Sequence, residues 1–155
     1  MKRIFAFFTL LLLFGAALIS SCSKSGFSSY KFDFPIIDIT KNEGESESVK
    51  TEVRKLPDNP VQGTVKMYVE ELLLGPESPR LQPIFSLDSS LDFCFVRNDS
   101  GKDVLYLGIS ESSVYNLSAD VDIQGRVGIL KDNIKKNFKN IEEIVLFIGD
   151  NFVNE

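Results

Sequence analysis

The chain has 155 residues, 43% hydrophobic and 11% aromatic, with 13 Phe and no Trp, which is enough for one domain with a real core and hardly for two. It carries 17 basic and 22 acidic side chains, a formal charge of −5, and this excess of acid argues against nucleic acid as a partner. No His occurs anywhere, so Ser-His and Cys-His nucleophile systems and imidazole metal sites are excluded.

Lys2 and Arg3 precede an uncharged run from Ile4 to Ile19, the pattern of a basic n-region and an apolar h-region. The run is short for a bilayer span, which needs roughly 20 apolar residues. An uncleaved, tilted N-terminal anchor is the alternative to a signal peptide. The run gives way to Ile19-Ser20-Ser21-Cys22, which resembles the bacterial lipobox. That resemblance implies a signal peptide over 1–21, diacylglycerol on the Cys22 thiol, and an acylated new amino terminus, so that Cys22 is the lipid-attachment residue. Two or three acyl chains, at about 0.8 kcal/mol per buried methylene, hold a protein on a membrane where one does so only marginally. The other readings of Cys22 are a core thiol and a disulfide with Cys94. The setting of Cys94, "DFCFV", reads as a small hydrophobe in a strand. Removing Lys2 and Arg3 takes the formal charge from −5 to −7, so membrane attachment must come from lipid rather than from electrostatics.

The polar stretch from Cys22 to Ser29 reads as a flexible tether, and the folded domain is expected over 30–155. In "YKFDFPII" Tyr30, Phe32, Phe34 and Ile36 alternate with Lys31 and Asp33, the period of a half-buried strand, and Pro35 places it at an edge or at its end. A polar acidic loop follows over 40–48, then a second strand over 49–56, making an irregular hairpin. Asn59-Pro60 is a helix-start signal, and Val61, Val65, Tyr68, Val69 and Leu72 recur at helical spacing until Gly75-Pro76 stops the helix. "LDFCFVRN" and "KDVLYLGIS" flank Asp99-Ser100-Gly101, a turn composition, and predict a second hairpin. Ile123, Val127, Leu130, Ile134 and Phe138 predict a second helix, with Lys135, Lys136 and Lys139 at its negative end. Gly125 and Gly128 mark either a late start of that helix or a close approach to the sheet. "IEEIVLFIGDN" predicts a closing buried strand. The order hairpin, helix, hairpin, helix, strand predicts an α+β fold: a single, largely antiparallel sheet with two helices packed on one face.

No set of residues forms a catalytic constellation, metal site or cofactor site, and the chain reads as a non-enzyme. Cys94 lacks a base and a neighbouring cysteine. Ser28 and Lys31 have Ser-x-x-Lys spacing but lie in or beside the tether. Glu70 and Glu71 are adjacent on a helix and point apart. Asp120 and Asp122 sit at a helix start, where capping explains them. Glu43, Glu45 and Glu47 lack the spaced oxygen ligands of a calcium loop. Gly125 and Gly128 do not complete a phosphate-binding motif.

The stretch "VKMYVEELLLGPESPRLQPIF" is similar to the signature of the GerMN domain, the module named after a sporulation and germination protein. Leu72, Leu73, Gly75 and Pro76 match a helix ending in Leu-Leu-x-Gly-Pro. "VRKLPDNP" resembles the family's second strand with its basic residue, here Arg54, and "NFKNIEEIVLFIGDN" its closing helix and strand with Gly149. The resemblance covers roughly 30–152. It implies a non-catalytic extracytoplasmic module in the bacterial cell envelope that binds a protein partner or an envelope component, in a peptidoglycan-related assembly. The candidate contact is the loop after the first helix, with Gly75, Pro76, Glu77, Arg80 and Phe85. Its bland reading is a loop that closes one end of the sheet. A lipoprotein carrying a small ligand in a sheet-helix pocket is the alternative from a different class, and would need a cavity of several hundred Å³.

Overall fold

A computed structural model describes residues 26–37, 48–58, 60–115, 117 and 121–153. The expected signal segment, Cys22, residues 40–47 of the expected acidic loop, Asn59 and Asp120 lie outside the described residues. Strand β1 (Phe27–Pro35) pairs antiparallel with β2 (Val49–Pro57), in register from Phe27 opposite Pro57 to Pro35 opposite Val49. The expected alternation places Phe32 and Phe34 wholly inside, and Pro35 closes the strand. Pairing starts three residues earlier than the sequence pattern implied, so Ser28 and Ser29 belong to the sheet and not to a tether.

Helix α1 (Thr64–Leu73) begins later than Asn59-Pro60 predicts. Residues 60–63 form a turn closed by the Gly63 N–H on the Pro60 carbonyl (3.0 Å), and Gly63, at φ +89°, precedes the first helical turn. Val61 is therefore fully exposed, and the buried face is Met67, Tyr68, Val69, Leu72 and Leu73. The stop is as expected: Gly75 adopts φ +86°, a left-handed conformation that glycine takes without a Cβ penalty.

Strands β3 (Leu91–Asp99) and β4 (Lys102–Ile109) form the second hairpin, its turn made by Ser100 and Gly101 with positive φ. A short helix α2 (Ser112–Tyr115), which the sequence pattern did not call for, precedes α3 (Ile123–Asn137). A Cβ on Gly128 would meet nothing within 4 Å, and one on Gly125 would meet the Asp122 carboxylate of its own helix start. Neither glycine brings α3 close to a sheet, and neither delays its start. Strand β5 (Ile141–Ile148) and a further strand, β6 (Asn151–Val153), end the described chain.

The single-sheet expectation is corrected in two respects. The strands form two sheets, β1-β2 and β3-β4-β5-β6, and β4 and β5 are parallel neighbours, with Tyr106 opposite Val145. The parallel pair follows from α3, which returns the chain to the end where β4 began; a helical crossover of that kind makes parallel neighbours. The split follows from what occupies the free edge of β1. Asn133 on α3 accepts from the Asp33 N–H (2.7 Å) and donates to the Asp33 carbonyl (2.8 Å). One turn later Asn137 does the same to Lys31, at 3.0 and 2.7 Å. Two side-chain amides, four residues apart on a helix, thus complete the ladder positions two residues apart on a strand.

Both long helices and the inner faces of both sheets share one core, in which Phe32, Tyr68, Leu72, Leu105, Leu107, Leu130, Ile134 and Leu146 are fully enclosed. The Tyr68 hydroxyl donates to the Lys31 carbonyl (2.8 Å) and accepts from Asn137 (3.0 Å), inside a ring cluster with Tyr30, Phe32 and Phe138. Burial pushes the Tyr68 phenol up, so it serves as a neutral donor. Arg126, itself buried, donates to the Pro83 carbonyl (2.5 Å) and to Gln82 Oε1 (2.6 Å), tying the irregular segment after α1 to α3.

Replacing the buried Asn133 strands the N–H and carbonyl of half-buried Asp33 on β1, each worth about 1–3 kcal/mol when unsatisfied. Asn133→Ala is expected to lower unfolding free energy by about 3 kcal/mol in urea titration, and Asn137→Ala by about 1, since water reaches the half-buried site. Equal and negligible losses would show that the edge does not depend on these amides.

Candidate functional site

The loop after α1 is built on one arginine. Arg54 on β2 donates Nη2 to the Gly75 carbonyl (2.7 Å) and to Glu52 Oε2 (2.8 Å), and Nη1 to the Glu71 carbonyl (3.2 Å). Its guanidinium stands over the Phe32 and Phe34 rings at 5.0 and 5.3 Å. Nε makes no hydrogen bond and faces the Glu77 carboxylate at 3.8 Å. Glu52 completes the clamp by accepting from the backbone N–H groups of Glu77 (3.1 Å) and Ser78 (2.9 Å). The last carbonyls of a helix have no partner within it; here those of Glu70 and Leu72 accept from the Leu74 and Gly75 N–H groups, Arg54 takes that of Glu71, and Glu52 holds the outgoing chain.

This places the sequence-selected loop residues. Gly75 is buried and Pro76 half-buried, and a Cβ at Gly75 would press on Pro83 and Leu87. Glu77 and Arg80 are exposed, and the Arg80 carbonyl accepts from Ile37 (3.3 Å). Phe85 is only 2% exposed and packs in the core with Leu81 and Ile84, so it presents no ring to a partner. The loop's exposed apolar side chains are instead Leu74 and Leu87. Between β2 and α1 lies an open groove of about 550 Å³ lined by Arg54, Leu56, Met67, Glu70, Glu71 and Glu77. Its walls are rich in carboxylate, and its arginine is already engaged by the chain. Ser28 donates to Asp58 Oδ1 (2.6 Å) rather than approaching Lys31. Cys94 is half-buried, and burial pushes its thiol up to about 11, which leaves it protonated and inert. Among the described residues no three His, Cys, Asp or Glu side chains converge on a metal position.

The feature that sequence reasoning missed is the outer face of the four-stranded sheet. Strand parity puts Phe93, Phe95 and Arg97 of β3 on that face beside Gly108, Tyr106 and Val104 of β4. Phe147, Val145 and Glu143 of β5 continue the three rows, and Phe152 of β6 extends the first. The rings touch in sequence: Tyr106 stacks on Phe95 at 5.3 Å, Phe95 meets Phe93 at 6.0 Å, Phe93 meets Phe147 at 5.8 Å and Phe147 meets Phe152 at 5.6 Å. Phe93 is 37%, Phe95 51% and Phe152 52% exposed, so the row is open to solvent. Gly108 makes room for it, because a Cβ there would lie 2.3 Å from the Phe93 ring. A contiguous exposed apolar patch of this kind marks an interaction surface far more often than isolated exposed residues do.

No family model matches the chain, and comparison with curated proteins gives no match. Among solved structures the chain is similar to a provisionally assigned lipoprotein from Clostridium perfringens, with a TM-score of 0.47 and 14% identity over 87% of this chain and 85% of that one. No helix among the described residues is long and apolar enough to cross a membrane.

The clamp has a pH signature. Burial pushes the Glu52 carboxyl up, but Arg54 and the Glu77 and Ser78 N–H groups outweigh it and hold the group below its ordinary 4.5. Asp33 is likewise raised by burial, and is brought below its ordinary 3.8 by Lys136, at 2.6 Å, Thr51 and Lys31. A carboxyl with a depressed folded-state value takes up protons preferentially on unfolding. Its stabilisation is present above the ordinary value and is lost as pH falls through the folded one. Thermal midpoints should therefore drop as pH is lowered below about 4.5, and Glu52→Gln should start less stable at pH 7 and fall less steeply. An acid limb of unchanged steepness in that variant would remove Glu52 from the account.

Proposed function

We propose that this protein is a bacterial lipoprotein, anchored through Cys22 on the extracytoplasmic side of a membrane, whose small non-catalytic domain binds a partner in the cell envelope. The anchor rests on the run from Ile4 to Ile19 followed by Ile19-Ser20-Ser21-Cys22. The binding role rests on one observation, the aromatic row across β3, β5 and β6 with Tyr106 stacked beside it. Strand β1 begins at Phe27, only five residues after Cys22 in the sequence, so an anchor at Cys22 would hold the domain close to the membrane surface. The likeness of 30–152 to GerMN modules fits the same non-catalytic role, in a peptidoglycan-related or other envelope assembly.

Palmitate labelling and membrane fractionation of bacterial cells test the anchor. Wild-type chain should take up label and sediment with membranes, whereas Cys22→Ala should do neither; equal labelling of the two would refute it. For the binding role, Phe95→Ser and Phe152→Ser should remove crosslinked species recovered from intact cells without altering the thermal midpoint. Crosslinks that persist unchanged in both variants would move the contact away from this face.

A further inference from the structure

We infer that the occupant of this aromatic face is a second copy of the same chain, docked sheet against sheet about a two-fold axis along β4. The inference rests on the reading of the face as the contact surface and names what fills it. The argument is the arrangement of the rows. β3 and β5 flank β4, so a two-fold axis along β4 lays β3 of one copy over β5 of the other, in the aligned geometry of packed sheets. The first row, Phe93, Gly108 and Phe147, then places Phe93 over Phe147 of the other copy. In the second row Tyr106 meets its own counterpart, and Phe95 covers Val145.

The third row decides between a copy and a generic apolar partner. It reads Arg97, Val104, Glu143, a cation and an anion symmetrically disposed about the β4 axis. Both are exposed, and neither side chain has an ion-pair or hydrogen-bond partner among the described residues. The same operation that stacks the rings sets Arg97 of each copy against Glu143 of the other, forming the pair twice. A chain of formal charge −5 repels itself at random contacts. These three rows carry one basic and one acidic residue and are otherwise uncharged, so this face can meet its own copy without that repulsion. Attachment of both copies to one membrane would raise their effective concentration further.

Full-length chain with Cys94→Ser, kept in its membrane, is the material for the test. Tyr106→Cys, on the axis, should give a disulfide-linked dimer under mild oxidation about tenfold faster than Val61→Cys, an exposed site remote from the sheet. Arg97→Glu and Glu143→Arg should each reduce dimer formation about tenfold, because like charges then face each other, and the two together should restore it. Folding is monitored by the thermal midpoint, which the exposed substitutions at 97 and 143 should leave unchanged, and each cysteine variant is compared only after it shows a cooperative transition. Dimer formation at 106 no faster than at 61, or no restoration in the double variant, overturns the inference. If a crosslinker placed at 106 captures a protein of different mass instead, the second copy is overturned while the face remains a contact surface. If it captures nothing at all, the reading of the face fails as well.

Discussion

The fold depends on how the free edge of a two-stranded sheet is satisfied. A lone hairpin is marginal in water, and its outer N–H and C=O groups are a template for unwanted pairing. Among the described residues the edge of β1 meets no third strand, only a single bridge between Ile36 and Leu81 just past its end. Asn133 and Asn137 reproduce the donor and acceptor pattern of a strand, and Tyr68 fills the space beneath them. Because the amides sit on α3, the hairpin is fastened to the element that also packs against β5, and one core can serve two sheets that share no backbone ladder.

A second consequence concerns where charge goes. Arg54, with Glu52, Glu71 and Glu77 around it, resembles a binding centre when viewed as a cluster of titratable groups. Its hydrogen bonds end on the carbonyls of Glu71 and Gly75 and its plane rests on two phenylalanines, so its work is to terminate α1 and hold the chain that leaves it. Likewise Asp33 and Lys136 reinforce the asparagine contact at the surface of the same junction. With polar chemistry committed to joints, the exposed face of the larger sheet is left apolar and available.

The parts legible from sequence were those set by local rules. The alternation around Phe32 and Phe34, the glycine stop at Gly75 and the Ser100-Gly101 turn each follow from neighbouring residues. Helix α1 misled because Asn59-Pro60 satisfies every cap preference, while Gly63 supplies the actual entry geometry. The two-sheet arrangement was hidden because an Asn-x-x-x-Asn spacing on a helix looks like solvated surface until a strand edge lies beside it. The parallel pairing was within reach, since a strand, a long helix and a strand in succession favour it. The sequence reading places Phe85 in a contact loop beside exposed Glu77 and Arg80, with closure of the sheet's end as the alternative, and its burial is a tertiary property that the local sequence does not decide. The aromatic row was the least legible: "LDFCFV" is apolar on both faces, and period alone cannot say which face a helix will cover.

The amide contacts to β1 span 100 and 106 residues of sequence. The first hairpin of the described chain is thus completed by one of its last helices, and until α3 has arrived the edge at Lys31 and Asp33 lacks its two amide partners. Long-range closure of this kind slows folding, because the entropy of the large loop is lost before the contact is gained. The order of events is then imposed by geometry: the end of the domain nearest the proposed anchor becomes secure only when the far end of the chain has folded back onto it.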